Sequence, residues 1–209
     1  LQQRAEENKP ILVGMIGIGK FGSMYLAQVP NTPGVEVVGV ADLSPSQAKS
    51  NILQVSWDGE RLSVDSLNEA ISLGRTYVTD DWEALVEHPE IDVIVESTGS
   101  PTDAVDHILA AFAHGKHVVN VTVEADAFCG PLLAKKASSV RVVYSLAFGD
   151  QPAMICDLVE WARVCGFPVS AAGRGHKWLP HFCTSTPDTV WEHYGLNPEQ
   201  AERGRLNPK

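Results

Sequence analysis

Gly17, Gly19 and Gly22 stand in a G-x-G-x-x-G spacing directly after the apolar run Ile11 to Ile16, with Lys20 and Phe21 in the gap. Ser23 to Ala27 then reads as the opening of a helix. This spacing suits the seating of a pyrophosphate. Gly17 allows a tight turn. Gly19 has no Cβ, so the backbone can come close to a phosphate. Gly22 lets the helix lie tightly on the strand. The helix start offers free N–H groups and the positive end of its dipole. A second apolar run, Val35 to Ala41, ends at Asp42, twenty positions after Gly22. A carboxylate there can accept both hydroxyls of an adenosine ribose. Strand, turn, helix, strand and terminal acid follow the order that a dinucleotide site requires.

A redox reaction run on a bound dinucleotide also needs a proton donor from the protein. Lys177 is one candidate, since it follows the turn Gly173-Arg174-Gly175-His176. Glu124, placed just past the end of a strand where ligands sit, and His176, within that turn, are the others. Arg174 could pair with a substrate carboxylate or phosphate. Asp150 is read as a helix N-cap. His176, His181, Cys183 and His193 form a loose set without a known zinc spacing, so no metal is expected. Cys129 and Cys165 are read as core thiols. No nucleophile elbow, H-E-x-x-H or P-loop pattern occurs.

The elements that must position these residues alternate. Strands are expected at 11–16, 35–41, 77–79, 91–96, 117–121 and 140–144, with one more at 167–172. Helices are expected at 45–53, 63–74, 102–114, 126–138 (broken near Gly130-Pro131) and 151–165. Asp80 or Asp81 should cap a further helix through Glu87. Short helices are expected near 187–194 and 198–203. Apolar strands between amphipathic helices mean a parallel sheet covered on both faces. The expected fold is therefore α/β, a doubly wound parallel sheet of Rossmann type, followed by the start of a second, incomplete domain. Residues 9–150 would form the dinucleotide-binding domain. Residues 151–209 would supply a linking helix, a strand and the beginning of a substrate or catalytic region.

The chain has 209 residues, 44% hydrophobic and 20% charged, with a net charge of −10. An acidic chain repels nucleic acid and anionic membranes, so neither is an expected partner. The longest apolar runs are strand-length, and Leu1 to Lys9 is too polar for a signal peptide. The four cysteines lack C-x-x-C spacing and read as reduced thiols of a cytoplasmic protein. The chain begins at Leu and stops in polar sequence, and is read as part of a longer protein.

Gly17 to Gly22, Glu96-Ser97-Thr98-Gly99 with Pro101, and Gly115-Lys116-His117-Val118-Val119 together resemble the homoserine dehydrogenase-like NAD(P)-binding oxidoreductases. The resemblance covers about residues 9–175. Val123-Glu124-Ala125-Asp126, Gly149-Asp150 with Pro152, and Ala172-Gly173-Arg174-Gly175 look like a bacterial subgroup that includes the deoxyxylulose phosphate reductoisomerase-like enzymes. The resemblance implies NAD(P)H-dependent reduction of a small polar carbonyl compound, or the reverse oxidation. Gly17, Gly19, Lys20, Phe21 and Gly22 would hold the pyrophosphate and Asp42 the adenosine ribose. Ser97, Thr98 and Gly99 would lie by the nicotinamide ribose, with Asn120 and Glu124 near nicotinamide and substrate. Homoserine dehydrogenases proper carry a lysine just after the strand that here ends at Asn120, where this chain has Val121-Thr122-Val123-Glu124. The reductoisomerase-like branch places basic residues where this chain has Asp42. A 2′-phosphate beside Asp42 would meet like charge, so NAD is the expected cofactor. A small-molecule substrate and homo-oligomers formed through a region beyond residue 209 are expected as partners. A dinucleotide-binding module or sensor without chemistry of its own is one alternative, and a sugar-phosphate reductoisomerase-like enzyme is another.

Overall fold

The computed structural model describes residues 1–55, 57–148, 151–173, 179–186 and 188–206, with the backbone alone at 151–152 and 203–206. Its contacts divide the chain into two compact units, Leu1–Gly166 and Phe167–Lys209.

The first unit holds six strands: β1 Ile11–Ile16, β2 Val35–Ala41, β3 Tyr77–Thr79, β4 Val93–Glu96, β5 His117–Asn120 and β6 Tyr144–Leu146. They form one sheet in the order β3-β2-β1-β4-β5-β6, with every pairing parallel. The strand order reverses between β1 and β4, which makes that crevice the switch point of a doubly wound sheet. Eight helices accompany the strands among the described residues of this unit. They are α1 Gln2–Glu6, α2 Lys20–Gln28, α3 Pro45–Gln54, α4 Leu67–Leu73, α5 Glu83–Glu87, α6 Pro101–Ala113, α7 Val123–Val140 and α8 Gln151–Val164.

Successive strand residues feed opposite cores, as the two-residue pleat requires. Val37 and Val95 belong to one apolar cluster with Met15, Leu26 and Ile52. Val38 and Ile94 belong to the other with Leu85, Ile108, Phe112 and Leu133. Both sheet faces are therefore covered, and the expected doubly wound α/β fold is the one observed.

Local rules explain the boundaries. Ser66 accepts the Glu69 amide at the start of α4, and Gly74 closes it in the left-handed conformation, φ 61°. That helix is shorter than expected because its N-cap, Ser66, is extended at φ −154° and ψ 160°, so the helix starts only at Leu67. Asp81, not Asp80, caps α5 through the Ala84 amide at 3.1 Å. The break expected near Gly130 falls at Cys129, whose φ of −147° leaves the helical region.

Three expectations fail. The sixth strand starts at Tyr144 rather than Val140, because α7 runs on to Val140 and Arg141 closes it with φ 61°. No strand forms over residues 167–172, since a lone extended segment has no ladder to join. Cys165 is exposed, so its thiol lies outside the core, whereas Cys129 is half-buried and packs against the core. Met154, Leu158 and Trp161 of the preceding helix are exposed as well. No described helix is long and apolar enough to cross a membrane.

The second unit contains a 3₁₀ turn, Pro180–Thr184, and two helices, α9 Val190–His193 and α10 Pro198–Leu206. Phe182 stacks on Tyr194 with ring centres 4.6 Å apart.

Candidate functional site

The ladder register brings the strand ends into line. Ala41 pairs with Thr79 and with Ile16, Ile16 with Glu96, Glu96 with Asn120, and Asn120 with Leu146. Residues that follow these positions leave the sheet along one edge, its carboxyl edge. Gly17, Asp42 and Ser97 are each the first residue past the ladder.

Two of the three glycines are required by their surroundings, and the third leaves space open. Gly17 has φ +90°, and a Cβ there would lie 2.9 Å from the Ser97 carbonyl and Thr98 Cα. Gly22 lies against Met15 and the Gly17 carbonyl, where a Cβ would come within 3.0 Å of each. Around Gly19 a Cβ would meet nothing within 4 Å. Open space therefore lies over the backbone at the N-cap of α2. The first N–H groups of a helix have no partner within it, and Gly19 brings no side chain to cap them. Donors with positive dipole potential over open space fit a phosphate.

Asp42 is half-buried at the end of β2. Its Oδ2 accepts the Ile18 amide at 2.9 Å and its Oδ1 the Ser44 amide at 3.0 Å. Asn51 Nδ2 donates to the Ile18 carbonyl at 3.0 Å and steadies the same loop. A carboxylate has about four acceptor directions, so two filled by amides leave room for hydroxyl donors.

The turn after β4 is tied inward. Ser97 Oγ donates to the Gly17 carbonyl at 2.7 Å, which joins this turn to the glycine loop. Beneath it lies Glu96, fully buried. Its carboxylate accepts the Thr98 hydroxyl at 2.5 Å, the Thr98 amide at 3.2 Å and the Thr122 hydroxyl. His107 Nδ1 stands 3.4 Å from Glu96 Oε1, and the His107 ring packs on Trp82 with centres 4.6 Å apart. Glu96, His107 and Thr122 escaped sequence reasoning as site residues. The signal for Glu96 was a single acid closing the apolar strand Val93-Ile94-Val95.

Asn120, at the end of β5, is also fully buried. Its Nδ2 donates to the Thr122 carbonyl and to the Tyr144 hydroxyl, both at 3.1 Å. Tyr144 donates onward to Asp126 Oδ1 at 3.0 Å. Burial raises the Tyr144 phenol well above the ordinary tyrosine range, and the Asp126 carboxylate adds to the rise against the opposing Asn120 hydrogen bond. Glu124 is exposed in the first turn of α7. Lys177, Arg174, His176 and Asp150 lie outside the described residues.

In the second unit, the rings of His181 and His193 are 5.0 Å apart. His193 Nδ1 faces Ser185 Oγ at 2.6 Å. Among the described residues no group of three or more His, Cys, Asp or Glu side chains could hold a metal.

The family model for the NAD-binding domain of homoserine dehydrogenase matches residues 17–144. The chain belongs to this family. A second model, the catalytic domain of oxidoreductase DRL, matches residues 149–209. The homoserine dehydrogenase of Methylobacillus glycogenes is 29% identical over 164 residues, 73% of this chain and 37% of that protein. Glyceraldehyde-3-phosphate dehydrogenase 1 of Bacillus subtilis is 31% identical over 114 residues, 48% of this chain and 33% of that protein. Among solved structures, a homoserine dehydrogenase from Thiobacillus denitrificans superposes with a TM-score of 0.53 at 23% identity. That match covers 66% of this chain and 29% of that one, and shows the shared fold. The chain spans about a third of the length of these relatives. A nicotinamide dinucleotide is the cofactor class of this family's domain. The open backbone at Gly19 and the acceptor at Asp42 fit its phosphates and its adenosine ribose.

Proposed function

We propose that the chain is the cofactor-binding part of an NAD(P)-dependent dehydrogenase or reductase acting on a small polar hydroxy or carbonyl compound, with NAD preferred to NADP. The observation that carries the preference is Asp42. Its carboxylate stands at the end of β2, beside the glycine loop, held by the Ile18 and Ser44 amides. Two unfilled acceptor directions suit a ribose diol, and a 2′-phosphate would be repelled.

The bound dinucleotide supplies the hydride. The glycine loop and the start of α2 bind its phosphates, and Asp42 orients the adenosine end. Ser97 braces the turn beyond against the glycine loop through Gly17. Glu124 and Lys177 are the candidates to give or take the substrate's proton. The match of residues 149–209 to an oxidoreductase catalytic domain supports a catalytic chain over a module that only binds. The test is calorimetric titration of the purified chain with NADH and, separately, NADPH. NADH should bind at least about tenfold tighter, roughly 1.4 kcal/mol. Equal or reversed affinities would overturn the NAD preference. Binding of neither would overturn the cofactor reading.

A further inference from the structure

The amino edge of the sheet, a strand's length from the glycine loop, gathers charged groups that have no partners. A cavity of about 600 Å³ lies there, at the starts of β1 and β2. Lys9, Glu36, Arg61 and Gly74 contribute to its wall. Among the described residues the ion pairs are Arg4–Asp92, His107–Glu96 and Arg163–Glu160. Glu36 and Arg61 therefore share one cavity without pairing, either with each other or with another side chain.

Arg61 is half-buried and held in place. Its guanidinium carbon stands 4.7 Å over the Trp57 ring. Trp57 is itself buried, and its Nε1 donates to the Leu26 carbonyl at 2.7 Å. A guanidinium stacked in this way has little side-chain freedom left to lose when it binds. Its Nε–H is buried and meets no acceptor. A buried donor ordinarily has one.

Glu36 is half-buried on β2 and lies against the end of α4. A Cβ at Gly74, the C-cap of that helix, would come within 3.2 Å of Glu36 Oε1. The last carbonyls of a helix have no partner within it and form the negative end of its dipole. The Glu36 carboxylate thus faces potential of its own sign, which a cation would relieve. Arg75, next in sequence to Gly74, is spent elsewhere: its Nη1 donates to the Ser63 carbonyl at 3.1 Å. One wall of the cavity is short of a cation and another is short of an anion.

We propose that this cavity binds a small zwitterion, a compound carrying an ammonium and a carboxylate as an amino acid does. Glu36 and the end of α4 take the ammonium. The Arg61 fork takes the carboxylate. Lys9, which is exposed, adds positive potential at the rim. A ligand with only one of the two charges would leave the opposite wall unpaired. The site is separate from the glycine loop and does not depend on the cofactor reading.

The test is calorimetric titration of the chain with glycine, 4-aminobutyrate and 6-aminohexanoate, which set the two charges at increasing separation. Butyrate and butylamine, each with one charge, are the controls. At least one of the three zwitterions should bind, at least about tenfold tighter than either control. Glu36→Gln and Arg61→Gln should each weaken that compound about tenfold or more, with NADH affinity within about twofold of wild type. Lys9→Gln should weaken it less than about threefold, because an exposed charge is screened. Binding of none of the three zwitterions would overturn the inference. So would controls that bind equally well, or wild-type affinity in either the Glu36 or the Arg61 variant. The wild-type titrations decide by themselves should a variant not fold. Failure of the chain to bind NADH would bear on the cofactor reading alone.

Discussion

Asp42 Oδ2 accepts the Ile18 amide at 2.9 Å, across 24 positions of chain. The acid proposed to hold a ribose therefore also holds the glycine loop, and the two duties can be separated. Asp42→Asn keeps one oxygen acceptor for the Ile18 amide but removes the charge. It should weaken NADH binding about tenfold and narrow the gap to NADPH, because the repulsion of a 2′-phosphate is gone. Asp42→Ala removes both acceptors and should weaken NADH further. Calorimetry of the two variants with both cofactors checks this. Unchanged NADH affinity in Asp42→Ala would take the residue out of the site.

The glycine loop offers a second separation. Gly17→Ala forces an alanine into φ +90° and sets its Cβ 2.9 Å from backbone atoms of Ser97 and Thr98. It should cost at least about 2 kcal/mol of stability, since backbone cannot step aside as a flexible side chain can. Gly19→Ala meets nothing within 4 Å and has an ordinary negative φ. Its stability should stay within about 1 kcal/mol of wild type, while NADH affinity falls at least about tenfold as the methyl fills the phosphate seat. Urea unfolding and calorimetry on the same two proteins give both numbers. Normal NADH affinity in Gly19→Ala would show that phosphates do not lie over that residue.

These contrasts also show what sequence could and could not reveal. The glycine loop and Asp42 were legible because their partners lie within one strand-turn-helix-strand unit, where spacing fixes geometry. Glu96 was not, because its meaning depends on Thr122, 26 positions away on another loop. Sequence order says nothing of that meeting until the sheet order places β4 beside β5. The sixth strand slipped for a related reason. Val140 and Val142 are as strand-like as Val143, and only the left-handed turn at Arg141 gives Val140 to the end of α7 and leaves Val142 after it. The strand expected at 167–172 has the right composition but no neighbour in the described residues to pair with.

Tyr144 gives a pH-dependent outcome. Burial and the Asp126 carboxylate raise its phenol above the ordinary value of 10.0. Above that value the unfolded chain has lost the phenolic proton while the folded chain keeps it. The folded state then binds more protons, so stability falls as pH rises beyond about 10. Tyr25, also raised by burial, contributes in the same direction. Tyr144→Phe removes one of the two contributions, so the decline between about pH 10 and 11 should be shallower than in wild type. At pH 7 the variant should be less stable by about 1 kcal/mol or more, because Asn120 and Asp126 lose a partner. Urea midpoints across the pH range would decide. A slope identical to wild type would mean that Tyr144 titrates normally.

Leu85 and Gly39 test the packing that carries the site. Leu85 is fully buried on α5, and a Cβ added at Gly39 would lie 2.4 Å from its Cδ2. Gly39 thus lacks a side chain because Leu85 occupies that volume. Leu85→Ala should cost about 2–5 kcal/mol through the cavity it opens beneath β2. Gly39→Ala should cost about 1–3 kcal/mol through overpacking. The double variant should be more stable than the sum of the two losses predicts, because the new methyl enters the space that the leucine vacates. Urea unfolding of the four proteins completes the cycle. Simple additivity would mean that the two residues do not share one volume, and that β2, which ends at Asp42, is held in place by other contacts.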